Sequence, residues 1–226
     1  SQVGIKIRGS STAGRSKASL SREAQDEFGR DKNISLLGMP SESDWVLWGP
    51  YNFDLSLMHN PFIFELSRQI GRYATRTQFV ELYLNTGGGT LSSSDYYGVY
   101  ALMEKISRDA DRVDVERLFD EHKREPEVSG GYIFKIDRAD PGDSGFSGAS
   151  QNIRYVYPKE VEIEQPERDA QQQYVRRFFN EMGTALNASY FKDPKRGYAK
   201  YIDVDAAIDH HLLNVLAFNV DALRLS

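Results

Sequence analysis

The carboxylate best placed for chemistry is Asp221, close to the end of the 226-residue chain. It follows a long apolar helical pattern and lies, with Asn219, where that pattern ends. A carboxylate held at the end of a buried helix can act as a catalytic base or as a metal ligand. The same position equally suits a helix cap with a solvated aspartate, and the residues alone leave both interpretations open.

Two further groups near the start of the chain could bind an anion. The turn Arg8-Gly9-Ser10-Ser11 follows an alternating strand pattern, and small residues in such a turn let backbone N–H groups approach a phosphate. Lys17 stands at the start of a second candidate strand, where it projects away from Ala18 and Leu20. An ordinary turn and a surface lysine are the alternatives.

A helix must present the next candidate, Glu65. Asn60 as N-cap and Pro61 at the first helical position begin this predicted helix, and Gly71 ends it. Its apolar stripe consists of Phe62, Leu66, Gln69 and Ile70. If Glu65 faces inward it needs a partner, for which Lys17 is a candidate, because a buried unpaired carboxylate is costly. The alternative is a solvated helix glutamate.

The remaining pattern predicts an α+β fold in two lobes, strand-rich at first and mostly helical later. Residues 77–85 and 97–103 form a predicted hairpin, and 36–50 a loop that its two tryptophans pin to the core. The charged run 107–112 separates lobes of residues 1–106 and 107–226, and a nucleotide fits the cleft between two such lobes.

The second lobe contains several predicted elements. They are a short helix over 113–123, a strand over 130–138, a loop over 139–151, a helix over 166–187 and a last helix. Asp203 or Asp205 caps the last helix, which is predicted to bury Ile208, Leu212, Val215 and Leu216 on one face.

Composition narrows the function classes. The chain has no cysteine, which excludes disulfides, thiolate catalysis and Cys-based metal sites. A net charge of −5 with dispersed basic residues argues against a nucleic-acid surface or an anionic membrane as main partner. No apolar run has the length of a membrane helix, so no membrane insertion is expected. The abrupt start and end of the chain suggest a piece of a longer protein.

Several stretches, taken together and in order, resemble the spore-coat-protein-H-like family, the CotH kinases. They are residues 5–11, 36–40 with 43–47, 57–61, 98–106, 112–114, 131–138, and 219–221 with 224–226. Each stretch alone is weak, whereas the ordered set covers nearly the whole chain and is specific.

The resemblance implies an atypical protein kinase with a reduced, two-lobed kinase-like fold. It implies ATP and a divalent metal, Mg or Mn, as cofactors and Ser/Thr side chains of protein substrates as acceptors. The alternative is a non-catalytic kinase-like scaffold in a spore coat or a cell-surface assembly. Spore coat or cytoplasm of a spore former and an extracellular or cell-surface location stay open, and the sequence does not fix the oligomeric state.

The resemblance also implies roles for individual residues. Arg8, Gly9, Ser10 and Ser11 would cover the nucleotide, and Lys17 would neutralise its α- and β-phosphates while Glu65 holds the lysine. Met103, Glu104 and Lys105 would form the hinge, with backbone groups on adenine. Asp221 would accept the substrate hydroxyl proton or bind metal, and a count from kinase catalytic loops places a second metal position at Ser226.

The chain departs from the family pattern at three places. Ala18 follows Lys17 where the family often has two adjacent lysines, and His59 stands where it commonly has arginine. The family continues to a Trp-Asp-Phe-Asp motif whose aspartate binds metal, so a second metal ligand is expected beyond Ser226. Residues 1–226 alone are therefore expected to be inactive or nearly so.

Overall fold

The computed structural model describes residues 2–9, 13–49, 54–137, 139, 142–220 and 222. It is an α+β protein with two antiparallel sheets. The chain divides into two compact units, Ser1–Ile106 and Ser107–Ser226. Within the described ranges, no helix is long and apolar enough to cross a membrane.

The first unit is a five-stranded antiparallel sheet with one α-helix. Its strands are β1 (Gln2–Arg8), β2 (Ser19–Gln25), β3 (Asp44–Trp48), β4 (Thr77–Tyr83) and β5 (Tyr96–Glu104), in the spatial order β1-β2-β3-β5-β4. The helix α1 (His59–Gln69) lies between β3 and β4 in the chain. The predicted hairpin of residues 77–85 and 97–103 is confirmed by the pairing of β4 with β5.

One face of this sheet forms a hydrophobic core. Leu20, Leu47 and Leu102 lie opposite one another on three neighbouring strands and make a buried row across the sheet. Trp45 and Tyr100 are fully buried beside them. The prediction of a loop over 36–50 is therefore wrong at its end, because Trp45 to Trp48 form a central strand. Glycine and proline residues on both sides of this strand favoured the loop prediction. The strand also lacks apolar–polar alternation, because both of its faces are largely buried.

The orientation of α1 also differs from the prediction. Pro61 and Ser67 are its buried residues, whereas Phe62 of the predicted stripe is 59% exposed. The helix begins at His59, whose backbone N–H donates to the buried carboxylate of Asp54 at 2.8 Å. Asn60 is thus not the N-cap. A short apolar pattern with several bulky residues on each side does not decide which side faces the core.

The second unit has a three-stranded antiparallel sheet in the order β6-β8-β7, with helices around it. The elements are β6 (Ile133–Lys135), β7 (Gly145–Gly148), β8 (Gln151–Tyr157), α2 (Glu160–Ile163), α3 (Asp169–Asn187) and α4 (Val204–Leu216). The core joins the sheet to α3 through Phe146, Ile153, Tyr155, Ile163 and Val175. The predicted strand over 130–138 and helix over 166–187 are confirmed in shortened form, whereas β7 lies within the predicted loop over 139–151.

Two predictions in this unit are wrong. Residues 113–123 form no α-helix, because backbone carbonyls of Phe119 and His122 accept bonds from the buried Gln171 amide at 2.6 and 3.0 Å. These two hydrogen bonds hold the segment against α3. The last helix has Asp203 as N-cap, as predicted, but Leu212 and the rest of its apolar face are exposed rather than buried.

Candidate functional site

Lys17 is the predicted site residue whose surroundings best suit a bound anion. It lies just before β2, partly buried, with Nζ 4.9 Å from the centre of the Tyr100 ring. Burial lowers the pKa of the Lys17 ammonium from its ordinary value. Among the described residues Lys17 forms no ion pair. A partly desolvated cation without a carboxylate partner is suited to receive an anion.

Tyr100 packs against Lys17 and fixes the backbone next to it. Its ring is fully buried in the core, and its hydroxyl donates a hydrogen bond to the backbone carbonyl of Ala18 at 3.2 Å. Burial raises the pKa of Tyr100 to about 12, so the phenol stays a neutral donor near pH 7. The bond fixes the backbone next to Lys17. Ala18 itself is buried, so a second lysine at this position would have to enter the core.

Two glycines keep the space around the lysine open. A Cβ on Gly49 would lie 2.5 Å from Tyr100 Cε1 and 3.1 Å from Lys17 Cγ. A Cβ on Gly98 would lie 3.7 Å from Lys17 Nζ, and its φ of +121° is one that other residues rarely adopt. The backbone N–H of Gly49 also donates to Ser19 Oγ at 3.2 Å, which ties β3 to the start of β2.

We expect Gly49→Ala to destabilise the first unit by about 1–3 kcal/mol, the usual cost of overpacking a core. The buried Tyr100 ring cannot move away from the 2.5 Å contact, so the backbone at position 49 must shift, and the Lys17 stem with it. Gly14→Ala is the matched control, since a Cβ there meets no atom within 4 Å. Urea unfolding of both variants measures the difference; equal stability would show that the close approach at Gly49 is unimportant.

The predicted nucleotide-covering turn is only partly described. Arg8 ends β1 and is exposed, and Gly9 follows it with a φ of +99°. Ser10 and Ser11 lie outside the described residues. Their contacts with a nucleotide therefore stay a prediction.

The structure does not bring Glu65 to Lys17. Glu65 is exposed, and its carboxylate accepts hydrogen bonds from Arg68 Nη2 and from Gln69 Nε2, the latter at 3.0 Å. Bonds from Gln69 and Arg68 hold the pKa of Glu65 below its ordinary value. The expected inward orientation of Glu65 is thus not observed, because it lies on the outer face of α1 with Phe62 and Gln69.

The predicted hinge residues lie at the end of β5, an inner strand of the sheet. Met103 lies opposite Val46 on one side and Thr77 on the other, so this end of β5 is held by both neighbours. Lys105 follows the strand and pairs with Asp44 at 2.9 Å.

Glu104 has a structural role that its hinge assignment did not include. Its buried carboxylate accepts hydrogen bonds from the Arg76 guanidinium at 2.8 Å and from the Arg76 backbone N–H at 3.0 Å. Arg76 directly precedes β4. The pair therefore fixes the start of β4 to the end of β5, next to the boundary between the two units.

We expect Glu104→Ala to destabilise the first unit by about 3 kcal/mol, because the Arg76 guanidinium loses this buried carboxylate and the Arg76 backbone N–H loses its acceptor. Lys105→Ala removes the neighbouring, more exposed ion pair and should cost less than about 1 kcal/mol. Denaturant unfolding of both variants compares a buried with a surface pair. Similar losses in the two would contradict this role of Glu104.

Asp221 lies outside the described residues, and so does Ser226. No group of three or more His, Asp or Glu side chains that could hold a metal ion occurs in the described part of the chain. The roles of Asp221 as base and metal ligand therefore stay predictions.

Three residues around Lys17, namely Gly49, Gly98 and Tyr100, were not predicted from the sequence. Gly98 carried a usable signal, since a glycine inside a strand pattern often marks a close approach of another group. Gly49 and Tyr100 carried none, because only the pairing of β3 with β5 brings them to Lys17.

Comparison with known proteins gives one match. The model of a family described as CotH kinase protein matches residues 5–226. No curated protein matches. No solved structure matches either.

Proposed function

The chain belongs to the CotH kinase protein family, and from this membership we propose that it is a protein kinase that transfers the γ-phosphate of ATP to Ser and Thr of proteins. The observation that carries the proposal is the family match over residues 5–226, which is nearly the whole chain. The surroundings of Lys17 give it independent support.

Lys17 suits a nucleotide phosphate. Its ammonium is partly desolvated and, among the residues described, has the Tyr100 ring rather than a carboxylate beside it. In kinases a lysine of the strand-rich lobe pairs with the phosphates that a glycine-containing loop covers. We assign these parts to Lys17 and to Arg8-Gly9-Ser10-Ser11.

The architecture of the first unit also supports the proposal. It is a five-stranded antiparallel sheet with one helix before its last two strands, and it ends just after β5. We interpret residues 1–106 as the kinase-like N-lobe with the hinge, and residues 107–226 as part of the C-lobe. The backbone of Met103, Glu104 and Lys105 would then contact adenine.

Glu65 can hold Lys17 only after a change of partner. Its carboxylate must first leave Arg68 and Gln69, since both bond it in this structure. A kinase needs its lysine–glutamate pair in place for phosphoryl transfer. The pairing of Glu65 with Lys17 therefore stays a prediction that depends on the family alone.

Asp221 completes the proposed site. Mg or Mn, when bound, would offset charge that develops on the transferred phosphoryl group. Asp221 would hold the metal or accept the proton of the substrate hydroxyl. This assignment depends on the family alone.

Nucleotide binding tests the proposal on the chain itself. Isothermal titration calorimetry with a non-hydrolysable ATP analogue, with and without MgCl2, should show binding that magnesium strengthens. The Lys17 amine should in parallel become less reactive towards an acylating reagent. Absence of nucleotide binding under both conditions would contradict the proposal and favour a non-catalytic scaffold.

A further inference from the structure

A basic groove runs along α3 in the second unit, with a volume of about 570 Å³. We name it the arginine groove after Arg176, Arg177 and Arg196, which line it together with one acidic residue, Glu181. Glu181 and Asp193, which pairs with Arg196 beside the groove, offset two of the three arginines and leave a surplus of one positive charge. This surplus lies on a chain whose net charge is −5, so the groove differs in sign from the protein as a whole.

Two of the arginines are held by aromatic rings rather than by carboxylates. The Arg176 guanidinium lies 5.4 Å from the centre of the Phe146 ring, and that of Arg177 lies 5.6 Å from the centre of the Tyr174 ring. Within the described part of the chain, neither forms an ion pair. Stacking limits the side-chain freedom of each guanidinium while its N–H groups remain available.

The nearby carboxylates already have other partners. Asp193 lies 3.4 Å from Arg196 and accepts backbone bonds from Lys195 and Arg196. Glu181 accepts a hydrogen bond from the Tyr201 hydroxyl at 3.4 Å. Arg176 and Arg177 are therefore the two arginines of the groove that form no ion pair within the described part of the chain.

We propose that the arginine groove binds a protein segment that carries phosphoserine or phosphothreonine. Such a side chain brings a charge of about −1.5 to −2 and three acceptor oxygens, which match two unpaired guanidinium groups. A single Asp or Glu side chain brings only half of that charge. The lining extends along α3 from Gln173 to Ala185, so a peptide has room on both sides of the phosphorylated residue.

This inference rests on the proposed function, since a phosphorylated segment is the product of a Ser/Thr kinase. It adds a consequence for the reaction. A substrate that already carries one phosphate is held through the arginine groove, so its remaining Ser and Thr residues stay near the enzyme and are phosphorylated in preference to those of an unmodified substrate.

Fluorescence anisotropy with labelled peptides tests the binding directly and needs no kinase activity. The probes share one neutral sequence around a central residue, which is phosphoserine, serine or glutamate. We expect the phosphoserine peptide to bind at least about 10-fold more tightly than the other two, with an affinity that falls as salt rises.

Single arginine substitutions show whether the phosphopeptide binds in the arginine groove. Arg176→Gln and Arg177→Gln should each weaken phosphopeptide binding by about 10-fold or more. Arg117→Gln is the matched control, because Arg117 is also exposed and stacked on an aromatic ring, Phe119, but lies outside the groove. Its affinity should equal that of the unchanged protein. Thermal unfolding should show the same midpoint for all four proteins, since these guanidinium groups are exposed.

Several outcomes would overturn the inference. Equal affinity for the serine and phosphoserine peptides, or unchanged affinity in both groove variants, would exclude a phosphate site here. Equal affinity for the glutamate peptide would identify a site for acidic segments instead. Tighter binding of a single-stranded oligonucleotide would identify a nucleic-acid groove. If phosphopeptide binding is found while ATP binding is absent, the groove stands and the proposed kinase function fails.

Discussion

Replacing Asp221 with asparagine is expected to lower the rate of phosphoryl transfer by about 10³-fold, the range that general-base catalysis usually contributes. Asparagine keeps the size of the side chain but can neither accept the substrate proton nor offer a negative oxygen to a metal ion. The change should therefore affect kcat much more than the affinity for the protein substrate. Transfer from γ-labelled ATP, measured on the protein in its natural full length, checks this expectation.

The matched control is Asp205→Asn. Asp205 lies in the first turn of α4, is exposed and has no assigned role in the proposed site. Its loss should leave the transfer rate within about twofold, because an exposed carboxylate interacts only weakly with its surroundings. Unchanged transfer in Asp221→Asn would refute the assignment of Asp221, whether or not the protein is a kinase.

Lys17→Met is the second large expected effect. It should weaken binding of the ATP analogue by roughly 10- to 100-fold, since a charged hydrogen bond contributes about 1.5–3 kcal/mol. Methionine preserves most of the apolar stem that packs between Gly49 and Tyr100. The fold should therefore persist, and circular dichroism of the variant should match that of the unchanged protein.

The lowered pKa of Lys17 gives this expectation a pH dependence. Binding of a phosphate needs the protonated amine, and burial lowers the pKa at which that proton is lost. As the pH rises, the affinity for the ATP analogue should therefore begin to fall at a lower pH than it would if the lysine were fully exposed. Lys6→Met, on the exposed part of β1, is the control and should keep both the affinity and its pH profile. Equal profiles in Lys17→Met and the unchanged protein would contradict the role of Lys17.

The local pattern of the sequence was sufficient for several elements. The β4–β5 hairpin follows from β-branched and aromatic content, and the helix α3 from helical spacing over a long stretch. Asp203 was one of two predicted caps of α4, and its carboxylate accepts the Ala206 backbone N–H at 3.0 Å. In each case the deciding contacts are close in sequence, so a single-sequence pattern contains them.

The surroundings of Lys17 could not be predicted in this way. Tyr100 is 83 positions further along the chain, and it reaches the lysine only because β5 pairs with β3 and β3 with β2. The order of strands in a sheet is a long-range property that local patterns do not specify. The pairing of Glu104 with Arg76 was missed for another reason, since both residues lie just outside the predicted strands 77–85 and 97–103 of a correctly predicted hairpin.

Glu65 shows a different limit. Its position on a helix was predicted correctly, but its direction was not, because α1 has large apolar residues on more than one side. Phe62, Met58 and Ile70 are all exposed, although each would suit a core. Hydrophobicity alone therefore assigns the wrong face, and only the tertiary packing of Pro61 and Ser67 identifies the inner one.

The central claim is that this member of the CotH kinase protein family transfers phosphate to protein hydroxyl groups. The most direct measurement is incubation of the full-length protein with γ-labelled ATP, a Ser/Thr-containing protein and either MgCl2, MnCl2 or EDTA. We predict label on Ser or Thr that requires the metal and disappears in Asp221→Asn. Label that is absent with both metals would contradict the claim, whereas metal-dependent label that persists unchanged in the variant would refute only the assignment of Asp221.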